Sequence, residues 1–134
     1  MAESIAGEMH VRLTSGLEAP AVARRFVAEH SSALPVALAD DAELLVSELV
    51  SNAVRHGRPA ITLRINMDPP LIGVSVHDEG AAMPHEAEEP VDPAADAGRG
   101  LLIVDRLSSD WGVTPDDPPP GKTVWFRLDV PADA

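Results

Sequence analysis

The sequence of 134 residues contains no cysteine, which excludes disulfide frameworks, thiolate metal sites and cysteine nucleophiles. It has no apolar run near the roughly 18 residues of a membrane-spanning helix, and its start lacks the basic-then-apolar pattern of a secretion signal. Basic residues are also scarce, with 10 Lys and Arg against 22 Asp and Glu and a net charge of −12. The electrostatic field of such a negative charge repels polyanions. The sequence therefore predicts a soluble, cytoplasmic protein that binds neither nucleic acid nor membranes.

The apolar pattern predicts a single α+β domain over residues 10–130, with a flexible segment at 1–9 and a tail at 131–134. Residues 81–97 contain three prolines and five acidic residues without a sustained period, and they predict a loop. Arranged in chain order, the elements predict a two-layer sandwich in which a mixed sheet carries all helices on one face. The predicted helices cover 20 to at most 35, 38–57 and 101 to about 107, and the predicted strands cover 10–14, 61–65, 71–77, 111–113 and 122–130.

Two polar residues stand at the border of the apolar stripe of the second predicted helix. Glu48 and Asn52 are four positions apart and so share one helix face. A carboxylate and an amide one turn apart can act as a general base and as an oxygen ligand for a hard cation such as Mg²⁺. On spacing alone, an ordinary solvated helix edge is the better explanation of this pair, because polar residues four positions apart are common on amphipathic helices.

Two further motifs suggest contact with a ligand. Asp78 ends a predicted strand just before Gly80, and an acid there can accept a hydrogen bond from an exocyclic amine such as that of adenine. The run Gly98-Arg99-Gly100-Leu101 opens a predicted helix, whose free N–H groups and positive dipole end attract phosphate. Taken alone, Asp78 is better explained as an ordinary turn residue, and two glycines before a helix are weak evidence because tight turns produce the same pattern.

One apparent phosphate-binding motif is rejected. Pro120-Gly121-Lys122-Thr123 looks like the end of a P-loop, but Asp116 replaces the earlier glycine and a strand follows instead of a helix. The five histidines show no metal-ligand spacing either.

Taken together and in order, these motifs resemble the GHKL ATPase superfamily. Residues 44–57 look like its N-box, in the version found in anti-sigma factor serine/threonine kinases of the RsbW type. Residues 76–80 resemble the G1 box, 98–101 the G2 box, and 121–126 the closing strand motif. The resemblance covers about residues 10 to 130 and implies a Bergerat-type ATP-binding fold.

The resemblance implies a role for each matching residue in binding ATP and Mg²⁺. Glu48 would be the general base and Asn52 would hold Mg²⁺. Asp78 would bind the adenine amine, Thr123 would support the adenine, and Gly80 would leave room for the base and sugar.

The later boxes would handle the phosphates. Gly98, Arg99, Gly100 and Leu101 would cradle them, and residues 81–97 would form the ATP lid. Ala82 occupies the position where the family usually has a second glycine of the G1 box, which implies a modified lid.

Three functions are compatible with this resemblance. In the first, the chain phosphorylates a serine or threonine of an anti-anti-sigma (STAS-type) partner and sequesters a sigma factor as a homodimer. In the second, it is a non-catalytic module whose bound nucleotide shapes a partner surface, which the Ala82 departure slightly favours. In the third, it is the catalytic domain of a histidine kinase, ranked last because the chain looks too short to include a helical phosphoacceptor region.

Overall fold

The computed structural model describes the backbone of residues 2–5, 8–31, 34–68, 71–80 and 103–130. Residues 103–107 are helical, and each element predicted within the described ranges is confirmed, with ends shifted by a few residues. The strands are β1 Ala2–Ile5, β2 Glu8–Leu13, β3 Ile61–Asp68, β4 Leu71–Asp78, β5 Asp110–Pro115 and β6 Lys122–Asp129, and the long helices are α1 Ala19–His30 and α2 Val36–His56.

The described strands form one sheet in the order β1-β2-β3-β4-β6-β5. Every pairing between described strands is antiparallel, so the α+β sandwich is confirmed but the expected mixture of parallel and antiparallel pairs is not found in them. The connection from β2 to β3 contains two long helices. A single helix would return the chain to the end of the sheet where β2 began, so β3 would run parallel to β2. The second helix reverses the chain direction once more, so β3 runs antiparallel to β2.

The N-terminal residues 2–5 form a strand where a flexible segment was expected. β1 pairs with β2, and Ile5 lies opposite Glu8 with only two residues between them. One of these two residues is Gly7, and a short glycine-containing connection is a hairpin signal. Main-chain hydrogen bonds hold such an edge strand without requiring an apolar pattern, which explains why hydrophobic periodicity did not predict it.

One face of the sheet is apolar and lies under the helices. Along β4, Ile72, Val74 and Val76 are at most 2% exposed, whereas the residues that alternate with them reach solvent at least in part. α2 covers this face with residues such as Leu45 and Leu49, and α1 packs against α2. Each fully buried aliphatic side chain stabilises the fold by roughly 1.5–3 kcal/mol. The prediction of helices on one face is confirmed.

α2 spans 21 residues and carries two of the predicted site residues. It ends at His56 because Gly57 leaves the helical region with φ −92° and ψ −164°, while the Gly57 N–H still donates to the Ala53 carbonyl at 2.9 Å. α2 is amphipathic, with a buried apolar face and a polar face.

In the part of the chain that the structure describes, no helix is both long and apolar enough to cross a membrane.

Candidate functional site

A small cavity of about 20 Å³ lies between α2 and the strands β4 and β6. Two predicted site residues, Asn52 on α2 and Asp78 on β4, line it together. The structure thus joins side chains that are 26 positions apart in the sequence. The other lining residues are Leu49, Ala53, His56, Val76, Lys122 and Val124.

A larger and more open hollow of about 210 Å³ lies on the opposite face of the sheet. Its lining includes Arg64, Trp125 and Arg127, and the Arg127 guanidinium lies 4.8 Å from the centre of the Trp125 ring. No predicted site residue in the described ranges lines it. The cavity under α2 is the candidate site despite its smaller volume, because Asn52 meets the buried charges of Asp78 and Lys122 there, whereas the arginines at the larger hollow are exposed.

Asp78 is the buried anchor of this cavity, with only 1% of its surface exposed. Three donors reach its Oδ1: the Gly80 N–H at 2.7 Å, the Lys122 Nζ at 3.1 Å and the Arg58 N–H at 3.3 Å. A buried carboxylate requires such partners. Among the described residues no donor reaches Oδ2, which leaves that oxygen to accept a hydrogen bond from a ligand.

Lys122 is the site residue that the sequence analysis missed. It begins β6, lies directly opposite Asp78 in the sheet register, and is 5% exposed. Its Nζ also lies 3.4 Å from the Gly80 carbonyl oxygen. Side chains alternate along a strand, so Lys122 shares its face with the buried Val124 and Phe126. That alternation is the signal that would have placed Lys122 inside the sandwich.

Thr123 lies on the other face of β6. It pairs with His77 of β4 and Thr114 of β5, and it does not line the cavity in the described structure. The support for adenine that the resemblance implies for Thr123 stays a prediction. The side chain that β6 brings to the cavity is Lys122.

Glu48 and Asn52 are both partly exposed and lie one turn apart on α2. The side-chain amide of Asn52 has no hydrogen-bond partner among the described residues, so it is available to a ligand. Glu48 lies about one 5.4 Å turn farther from the end of α2 that touches Asp78, beyond the described lining. A ligand anchored on Asp78 and extended along α2 would pass Asn52 before it reaches Glu48.

Two glycines allow the backbone to approach Asp78 closely. A Cβ on Gly57 would fall 2.5 Å from the Asp78 Cγ, and a Cβ on Gly80 would fall 3.0 Å from the Asp78 Oδ1. Gly80 also donates its N–H to that oxygen. Its predicted role in leaving room for a base and sugar stays a prediction. Gly57, which ends both the predicted second helix and the N-box resemblance over residues 44–57, is also a packing requirement of the site.

Gly57→Ala is expected to lower the free energy of unfolding by about 1–3 kcal/mol, because the new methyl group overlaps the Asp78 carboxylate. Gly73→Ala is the matched control, since its Cβ would meet nothing closer than the Asn66 Cβ at 3.8 Å. We expect that variant to stay within about 0.5 kcal/mol of the wild type. Urea denaturation of both variants measures the difference, and equal stabilities would contradict the close packing at Gly57.

The predicted phosphate-binding residues Gly98, Arg99, Gly100 and Leu101 lie outside the described residues, as does the predicted lid over 81–97. Their roles stay predictions.

The described residues form an α+β sandwich with the candidate site beneath α2, its longest described helix. A family model described as the histidine kinase-like ATPase domain matches residues 13–128. Because this match covers most of the chain, the chain belongs to that family.

Solved histidine kinase structures share the fold. The histidine kinase domain of the Erythrobacter litoralis EL346 blue-light activated histidine kinase is 24% identical, with a TM-score of 0.53 over 72% of this chain and 46% of that one. A second structure of that kinase is 21% identical, with a TM-score of 0.57 over 95% of this chain and 48% of that one. The histidine kinase domain of the E. coli osmosensor EnvZ is 16% identical, with a TM-score of 0.50 over 97% of this chain and 92% of that one. The chain therefore spans about half the length of the first two structures.

Proposed function

We propose that this chain is a protein kinase that binds ATP in the cavity under α2. The observation that carries the proposal is the meeting of Asp78 and Asn52 in one cavity, in a member of the histidine kinase-like ATPase domain family. The Asp78 Oδ2 accepts a hydrogen bond from the exocyclic amine of adenine. Guanine would place a carbonyl oxygen against the same carboxylate and be disfavoured.

Binding of a purine requires the cavity to widen. Its volume of about 20 Å³ is close to that of a single water molecule. The buried strand residues Asp78 and Lys122 form its floor, whereas His56 on the last turn of α2 is exposed. Leu49 and Ala53 of α2 are buried as well, so the widening falls at the His56 end of the described lining.

The residues on α2 fit a Mg²⁺ ion bound together with the nucleotide. No cluster of three or more His, Asp or Glu that could enclose a metal occurs in the described ranges. Mg²⁺ commonly takes one or two protein oxygens and fills its other positions with water and phosphate, so the Asn52 amide oxygen suffices. A bound Mg²⁺ supplies positive charge that offsets the triphosphate.

Glu48 is the general base in this proposal. It orients the acceptor hydroxyl and takes its proton as the phosphoryl group transfers, because its position one turn beyond Asn52 suits the phosphate end of the nucleotide. The acceptor is a serine or threonine of an anti-anti-sigma (STAS-type) partner, and the chain sequesters a sigma factor as a homodimer. The N-box resemblance over residues 44–57 supports these partners.

A second candidate is the ATP-binding catalytic domain of a histidine kinase, with a histidine as acceptor. The solved structures reported above that share the fold belong to histidine kinases, which favours this candidate. A non-catalytic nucleotide-dependent binding module is the third candidate.

Incubation with γ-labelled ATP, Mg²⁺ and candidate STAS proteins distinguishes the three candidate functions. We expect label on the partner that survives acid, because a phosphate ester of serine or threonine is acid-stable whereas phosphohistidine is acid-labile. Chelation of Mg²⁺ is expected to abolish transfer. Acid-labile label on a histidine partner would replace the first candidate by the second, and bound ATP without any transfer would leave the binding module. Failure of the protein to bind ATP would contradict the proposed function altogether.

A further inference from the structure

Lys122 is the only lysine in the chain, and it is 5% exposed. An ammonium group carries three N–H donors. Two acceptors lie within reach of this one, the Asp78 Oδ1 at 3.1 Å and the Gly80 carbonyl oxygen at 3.4 Å. Within the described ranges no third acceptor contacts it, so one N–H is left for the cavity that Lys122 lines.

The floor of the cavity therefore offers a ligand one acceptor and one donor side by side. The acceptor is the Asp78 Oδ2, and the donor is the remaining N–H of Lys122. The two formal charges cancel within this ion pair, whose side chains are 2% and 6% exposed. A neutral floor of this kind suits a neutral heteroaromatic edge better than it suits a charged group.

We propose that Lys122 is a base-recognition residue that donates a hydrogen bond to the adenine ring nitrogen N1 while Asp78 accepts one from the adjacent exocyclic amine. This inference rests on the proposed ATP binding and adds a specificity-determining residue to it. Adenine presents a donor at position 6 and an acceptor at N1. Guanine presents an acceptor at position 6 and a donor at N1, so it is mismatched with both side chains.

Adenine analogues test the proposal in the unmodified protein. We expect 1-deaza-ATP, which lacks the N1 acceptor, to bind about tenfold more weakly than ATP or worse, the scale of a hydrogen bond from a charged donor. The control is 7-deaza-ATP, which keeps N1, and it is expected to bind within about twofold of ATP. Calorimetry gives all three affinities. Equal affinities for ATP and 1-deaza-ATP would overturn the role of Lys122 and leave the proposed function standing, whereas absence of ATP binding would overturn both.

The single lysine provides a direct spectroscopic test. With ¹⁵N-lysine labelling, Lys122 contributes the only side-chain ammonium signal of the chain. We expect saturating ATP to shift this signal strongly and 1-deaza-ATP at equal saturation to shift it much less. A purely structural lysine would give the same shift with both nucleotides, and that result would overturn the proposal.

A charge-removing variant completes the test. Lys122→Met is expected to bind ATP and 1-deaza-ATP with the same reduced affinity. Arg64→Met is the matched control, since Arg64 is an exposed cation on the opposite face of the sheet, 3.7 Å from Glu8, and it should keep the wild-type preference. Tighter ATP binding by Lys122→Met would show that the ammonium competes with the base, and this would overturn the proposal.

Discussion

Replacing Glu48 by glutamine is expected to lower the rate of phosphoryl transfer about 10²–10⁴-fold while ATP affinity changes little. The range is that of a positioned general base in the transition state. The amide keeps the size of the side chain but cannot take the proton of the acceptor hydroxyl. Glu48 lies outside the described lining of the cavity in which the base would bind, so its replacement leaves that part of the site intact.

Glu43→Gln is the matched control for this prediction. It makes the same chemical change on α2, five positions earlier, which at about 100° per residue puts Glu43 on a different side of the helix. We expect the control to transfer phosphate at the wild-type rate. Single-turnover kinetics with labelled ATP separates transfer from binding. Wild-type transfer by Glu48→Gln would remove Glu48 from the mechanism, and loss of ATP binding would assign it a structural role instead.

The part of the site on α2 could be predicted because helical periodicity is strong over that segment. The apolar stripe of the helix predicted over 38–57 placed Glu48 and Asn52 on a shared border, and the structure keeps them one turn apart on α2. Asp78 was predicted as a strand end, which it is. Periodicity cannot show that a helix and a strand end meet across the sandwich. The expectation that these residues meet at one site came from the resemblance, whose motifs follow one another in the family's order. The cavity shared by Asn52 and Asp78 agrees with that expectation.

The residue of β6 that lines the cavity, Lys122, was not among the predicted site residues, for a reason of strand geometry. The resemblance assigned the adenine role to Thr123, one position from the residue that faces the cavity. A shift of one position moves a side chain to the other face of a sheet. Lysine is rarely fully buried without a partner, so Lys122 was given no site role, although it lies in the closing strand motif over 121–126 and in the rejected P-loop match. Its partner, Asp78, is 44 positions away and becomes visible only once the register of β4 and β6 is known.

Asp78→Asn is expected to lower the free energy of unfolding by about 3–5 kcal/mol, as when one member of a buried ion pair is removed. Asparagine has nearly the same shape as aspartate, so the loss comes from charge: the Lys122 ammonium would stay buried without its anion. The same change is expected to weaken ATP binding by about 1.5–3 kcal/mol and to reduce the preference for ATP over GTP. Urea denaturation and calorimetry measure the two effects separately.

The double variant Asp78→Asn with Lys122→Met distinguishes the stabilising role of Asp78 from its role in recognition. Removing both charges also removes the uncompensated ammonium, so the double variant is expected to be more stable than Asp78→Asn alone. ATP affinity is expected to stay low, because neither the acceptor carboxylate nor the donor ammonium is restored. Recovery of both stability and wild-type affinity would mean that the ion pair only closes the floor of the cavity. Recovery of stability without affinity would identify the same pair as the part of the cavity that contacts the base.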